Sequence, residues 1–294
     1  MMVALDNGKL RLLVNPAIGG AVVRFDALTE DGPVALMRPG TVDEQDPNRL
    51  AMYPLVPWSN RISAGGFEWR GRHYPLAPNL AGEPLPIHGD GWQRPWRVEG
   101  QERHELRLVL RSREQPPFDY RAELVYRLEG ESLAVELSAT HLGEAPAPYG
   151  LGLHPWFPRS ADARLEALAE GVWEVDAAQL PTQWRRLETG EAWNFSAPSA
   201  LPEGKIDNLF TGWGGRALLH WPERGVALEM SAGPAVSRYL VYSPGAEADF
   251  FCVEPVSHAV DAHHLGASEH GLVELAPGQS LRRRYRFRAS SIVT

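Results

Sequence analysis

Residues 121–142, RAELVYRLEGESLAVELSATHL, limit the fold more than any other stretch of this sequence. Ala122, Leu124, Tyr126 and Leu128 alternate with Arg121, Glu123 and Arg127. Past the turn EGES, Leu133, Val135, Leu137 and Ala139 alternate with Glu136, Ser138 and Thr140. A period of two on both sides of a short turn belongs to an antiparallel hairpin with one buried face. ELRLVLRS and LRRRYRFRA alternate in the same way, and FEWRGRHYPL and LLHWPERGVALEM read as hairpins around glycine-containing turns. Most of the 28 glycines and 25 prolines fall between such runs, where they punctuate turns. DARLEALAE alone has much helical propensity, and it is short and bounded by glycine.

At 294 residues the chain is long enough for one large domain or two ordinary ones. No linker divides it, although residues 196–204, SAPSALPEG, read as an exposed loop. The expected architecture is all-β, a single domain over residues 1–294, built as an antiparallel sandwich or barrel. The net charge of −8 argues against nucleic acid or an anionic membrane surface as a partner. Cys252 is the only cysteine, which excludes an internal disulfide. The first residues lack the basic and apolar regions of a secretory signal, and no run reaches the ~20 apolar residues of a membrane helix. The expectation is a cytoplasmic protein, monomeric or homodimeric.

Four segments carry polar residues that strand alternation does not call for: PWSNRISAGGFEWRG with Asn60 and Arg61, PIHGDGW with His88, GLGLHPWFP with His154, and DFFCVEPVSHAVDAHH with Glu254. His154 and Glu254 share one context, since each follows an apolar run and precedes a proline. Proline removes a ladder donor, so each side chain is expected at a strand end, delivered out of the core. A histidine and a carboxylate presented in this way suit an acid–base pair. Plainer roles stand beside these: a buried histidine bonded to the backbone, a surface arginine paired with Glu68, a turn histidine, a loop-capping glutamate. His258, Asp261, His263 and His264 invite a zinc reading, but two adjacent histidines do not easily ligate one ion, and no metal is expected. Trp58, Trp92 and Trp156 lie near three of the segments, and core packing is the expectation for each over stacking on a sugar.

Together, NRI…GGFEWRGRHYPLAPN followed by IHG, then GLGLHPWFP, LPTQW…KIDNLFTGW and CVEPVSHAVDA resemble the segments of the aldose 1-epimerase family, in the family's order. The resemblance implies a large antiparallel β-supersandwich and makes RLEALAEGVWEVD a strand region instead of a helix. It implies interconversion of the α and β anomers of a free aldose, with His154 as general acid and Glu254 as general base. Arg61, His88 and Asp207 would bind sugar hydroxyls, and Asn60 would support the arginine's loop. A sugar is the only partner implied, and the chemistry needs no cofactor. The connection between PLAPN and IHG is shorter than in well-known galactose mutarotases, which leaves the sugar open. A mutarotase of phosphorylated sugars and a non-catalytic carbohydrate-binding protein are the alternatives. Ring opening takes a proton from the C1 hydroxyl and gives one to the ring oxygen. Reference pKa values of about 4.3 for Glu and about 6.5 for His then require the histidine to be kept protonated, by the field of Glu254 or Asp207.

Overall fold

The computed structural model describes residues 1–291. Its strands form two large antiparallel sheets. The eight-stranded sheet runs, in spatial order, through Arg164–Glu166, Arg216–Trp221, Val226–Ala232, Ser280–Ser291, Ser132–His141, Phe118–Glu129, Glu105–Gln115 and Arg97–Gln101. The hairpin of residues 121–142 is at its centre, with Leu124 opposite Leu137 and Tyr126 opposite Val135. The alternating Leu, Tyr and Val residues are buried, and the arginines and glutamates between them face outward. Along that outer face Arg127, Arg284 and Arg286 pair with Glu105, Glu136 and Glu129.

The eleven-stranded sheet contains, side by side, Met52–Leu55, Gly152–Pro158, Phe250–Val256, Arg238–Ser243 and Ile206–Thr211. Both of its faces are covered at this point. Leu153, Phe157, Phe251, Val253, Tyr239 and Phe210 point to the main core shared with the other sheet. Tyr53, Trp156, Leu209, Leu240 and Cys252 belong to a second cluster that includes Ile87 and Trp92. That second layer of loops over a sheet turns alternation into near-continuous burial along the five strands.

The segment RLEALAEGVWEVD forms strands Arg164–Glu166 and Gly171–Val175, as the family resemblance implies, because cross-strand pairing overrides local helical propensity. Residues 196–204 are largely exposed. Only two single-turn 3₁₀ helices occur among the described residues, and none of these residues forms a helix long and apolar enough to cross a membrane. The prolines correct one expectation. Pro155 and Pro255 lie inside strands, opposite Met52 and Tyr239, so His154 and Glu254 are not at strand ends. The prolines interrupt the ladder between these two strands only locally, and pairing resumes on either side, with Gly152 opposite Val256 and Trp156 opposite Cys252.

Candidate active site

Register alone brings His154 to Glu254. Gly152 faces Val256 and Trp156 faces Cys252, which brackets a pairing of residue 154 with residue 254 across the two strands. The same row continues through Tyr53, opposite His154, and through Leu240, opposite Glu254. Residues in one row project from one face, and those two positions along a strand join them. Trp156, Tyr242 and Asp207 are therefore on that face too, Asp207 lying opposite Tyr242. Nε2 of His154 is 3.3 Å from Oε1 of Glu254, and both side chains are buried. Nδ1 of His154 and Oε2 of Glu254 are buried without a hydrogen-bond partner.

Loops complete the pocket. Asn60 and His88 both have left-handed backbones, φ 61° and 64°, and clasp one another. The Asn60 N–H donates to Nδ1 of His88 and the His88 N–H donates to the Asn60 carbonyl, each at 3.0 Å. Because His88 Nδ1 accepts a hydrogen bond, the neutral ring carries its proton on Nε2. Burial first, then the charges of His154 and Arg61, hold His88 well below the usual histidine range. The asparagine Oδ1 accepts from the Arg61 N–H at 2.8 Å and from Arg61 Nη1 at 3.3 Å. Gly89 follows His88 with φ +65°, and a Cβ there would come within 2.4 Å of the Val56 carbonyl oxygen. Gly89→Ala is expected to cost about 1–3 kcal/mol by urea unfolding and to displace His88 from the pocket, because His88 must move with the loop.

The resulting pocket, about 310 Å³, is lined by Asn48, Tyr53, Asn60, Arg61, Glu83, His88, His154, Trp156, Lys205, Asp207, Tyr242 and Glu254, with Leu80 and Ile87 as apolar wall. That is the low end of small-molecule sites, ~300–1,000 Å³. All six residues singled out in the sequence, Asn60, Arg61, His88, His154, Asp207 and Glu254, line this one pocket. Asn48, Tyr53, Glu83, Lys205 and Tyr242 were not anticipated. Glu83 did carry a signal, since it precedes a proline in GEP as Glu254 does in VEP. Another concavity, about 340 Å³, lies on the outer face of the eight-stranded sheet, where its arginines are paired with glutamates. No acid–base pair converges there.

The histidine is held in a stack. Its ring lies 5.0 Å from Trp156 at 15°, and Tyr53 packs on it at 4.7 Å. Arg38 lies over the Trp156 ring, 4.1 Å from its centroid. Trp156 thus serves the pocket wall, while Trp58 and Trp92 are fully packed.

The electrostatics correct the expected protonation. Burial, then the positive charge of Arg38, push the His154 pKa down to about 3. Burial, then the charge of Asp207, push Glu254 well above the usual carboxylate range. Asp207 is itself raised, by burial, against the opposing field of Arg61. Desolvation outweighs the attraction expected to keep the imidazolium charged, and without ligand the pair's proton rests on Glu254. The two groups titrate as a unit holding one proton over a range of pH.

The histidine-rich segment downstream is scaffolding for the Arg61 loop. His258 Nε2 accepts from the Ser59 N–H at 3.1 Å. Asp261 accepts from the Ser63 N–H and hydroxyl at 2.9 and 2.7 Å, and its own N–H donates to the Arg61 carbonyl. His264 is 2.7 Å from the Asp261 carboxylate, and His263 packs on Phe67 at 4.3 Å. The partnered nitrogens of His258 and His264 face different groups, His263 Nε2 is buried without a partner, and among the described residues no three of these side chains form a metal-holding group.

The family model described as aldose 1-epimerase matches residues 1–288. An uncharacterized Escherichia coli K12 protein, YphB, is 35% identical over 283 residues, 94% of each chain. The crystal structure of an E. coli K12 protein provisionally assigned as an aldose 1-epimerase superposes with a TM-score of 0.92 at 33% identity, covering 99% of both chains. A galactose mutarotase-like protein from Clostridium acetobutylicum shares the fold, with a TM-score of 0.87 at 18% identity over 99% of this chain and 95% of its own. The architecture is the galactose mutarotase-like β-supersandwich.

Proposed function

The chain belongs to the aldose 1-epimerase family, and from that premise we propose that it interconverts the α and β anomers of an uncharged aldose, with His154 as general acid and Glu254 as general base. The observation that carries this reading is the 3.3 Å approach of His154 Nε2 and Glu254 Oε1 in one pocket with Arg61, His88 and Asp207.

Sugar hydroxyls that donate to Glu254 favour its charged form, and the pair's single proton then passes to His154. Glu254 removes the proton from the C1 hydroxyl while His154 protonates the ring oxygen. The C1–O5 bond breaks, its electron pair stays on O5, and C1=O1 forms. Glu254 is now protonated and His154 neutral, which is the arrangement the buried pair prefers without ligand. Burial therefore lowers the energy of the state that accompanies the open-chain aldehyde. After rotation about C1–C2, His154 takes the proton back from O5 as that oxygen attacks C1, and Glu254 returns its proton to O1. Each transfer contributes about 10²–10⁴-fold, enough for a reaction that already proceeds in water. His88, donating from Nε2, and Asp207, accepting, hold hydroxyls of the ring, and Asn60 fixes the Arg61 loop.

The test is polarimetry or NMR on freshly dissolved α-anomers of several aldoses. Faster approach to equilibrium for at least one sugar supports the reading. Sugar binding with the rate at background would make the protein a non-catalytic binder.

The pH profile follows from the one-proton pair. Activity is lost at low pH as His154 takes a second proton and at high pH as Glu254 loses the last one. Arg38 disfavours the imidazolium, so Arg38→Met, which removes that charge, is expected to move the acid limb of the kcat/KM profile upward. Stopped-flow polarimetry between pH 4 and 9, about 2.5 units on either side of the reference histidine value, checks the direction.

A further inference from the structure

We propose that Glu83 is a specificity-determining residue: it neutralises Arg61 and so restricts the pocket to uncharged sugars. The inference rests on the anomer-exchange reading above and concerns which sugars that pocket accepts.

Arg61 is the cation inside the pocket, and its charge is met from two sides. Nε donates to Glu83 Oε2 at 2.9 Å, while Nη1 is 3.5 Å from Asp207 Oδ2 and 3.3 Å from Asn60 Oδ1. The side chains of Arg61 and Glu83 are each 13% exposed and that of Asp207 is 8% exposed, so solvent screens the three weakly. Lys205, the other cation on the lining, is exposed. Glu83 and Asp207 therefore balance Arg61 and Lys205, and the one-proton pair of His154 and Glu254 adds no net charge. An incoming phosphate or carboxylate finds the one buried cation already compensated, with only the exposed Lys205 on the lining making no ion pair among the described residues, and it meets the field of two carboxylates. A neutral ring finds what hydroxyls require, carboxylate acceptors alternating with a guanidinium donor. A purely structural role for Glu83 would rest on its other contact, Oε1 accepting from the Leu85 N–H at 3.3 Å.

Glu83→Gln separates these roles, because glutamine keeps a carbonyl acceptor and the side-chain length while losing the charge. The probes are glucose and galactose, their 6-phosphates and their uronates. Anomer exchange is followed by magnetisation-transfer NMR at equilibrium and binding by calorimetry. The wild-type protein is expected to favour the neutral sugars by at least ~10-fold in both readouts, and Glu83→Gln to narrow that ratio at least ~10-fold through gain on the anions. Equal handling of neutral and anionic sugars by the wild type overturns the proposal. So does a Glu83→Gln variant that loses on all sugars in proportion, or failure of any neutral sugar to bind. Charge-selective binding without exchange would sink the mutarotase reading and leave the Glu83 assignment standing. Exchange of glucose and glucose 6-phosphate alike would do the reverse.

Discussion

Glu254→Gln is expected to lower kcat for anomer exchange by about 10²–10⁴, leaving the fold intact and sugar binding within a few-fold. The amide keeps the shape of the carboxyl group but neither holds nor takes the proton that the cycle needs. Stability should not fall, because Glu254 is buried with Oε2 unpartnered, and replacing a desolvated ionisable group by a neutral isostere removes a cost. His154→Ala should lose a similar factor of activity. The double variant should lose little beyond either single one, since the two side chains act as a unit. Polarimetry of a fresh α-anomer, with calorimetry of binding alongside, separates catalysis from affinity. Acceleration persisting in both single variants would remove these residues from the chemistry.

Arg61→Ala carries the second large effect, on stability as well as activity. The change leaves Glu83 and Asp207 facing each other across a mostly buried pocket with no cation between them. Breaking a buried ion pair from one side costs ~3–5 kcal/mol, and kcat/KM should fall by at least ~10² as a ring-binding donor disappears. The pH dependence has a definite sign. Asp207 is already raised by burial, with Arg61 opposing that rise. Without the arginine its pKa goes higher still, so the penalty is full above that pKa and shrinks as falling pH protonates the group. Urea midpoints at neutral and mildly acidic pH should therefore differ less from the wild type on the acidic side. Arg61→Lys should restore part of the stability but little of the activity, because an ammonium group lacks the fork that reaches Glu83 and Asp207 together.

What the sequence makes legible depends on how many faces of a strand are covered. The hairpin through Leu124 and Leu137 has one solvated face, and its period of two reads directly into the register that forms. Gly152–Pro158 and Phe250–Val256 are buried on both faces, which erases the alternation. Their pairing across 100 positions has no local signature, and only the shared context of His154 and Glu254, each before a proline, hints at it. That context picked out two residues that meet, but not for the reason given, since both prolines lie inside strands, Pro255 one residue from the end of its own. Charge state was the least accessible property. Arg38 lies over Trp156, which stacks on His154 beside Tyr53, and no motif announces a cluster formed from three separate segments. The histidines near residue 260 were legible as a cluster but not as supports, because what distinguishes a brace from a ligand is the direction each nitrogen faces.

The pairing of His154 with Glu254 by strand register has an evolutionary corollary. Inserting or deleting one residue in either strand would turn His154 or Glu254 to the opposite side of the sheet and destroy the site in a single step. Changes in the connections bearing Asn60, Glu83 and His88 leave the strand pair untouched. On the proposed function, the loops that meet the sugar can thus be remodelled while the proton-handling pair stays locked to the weave beneath.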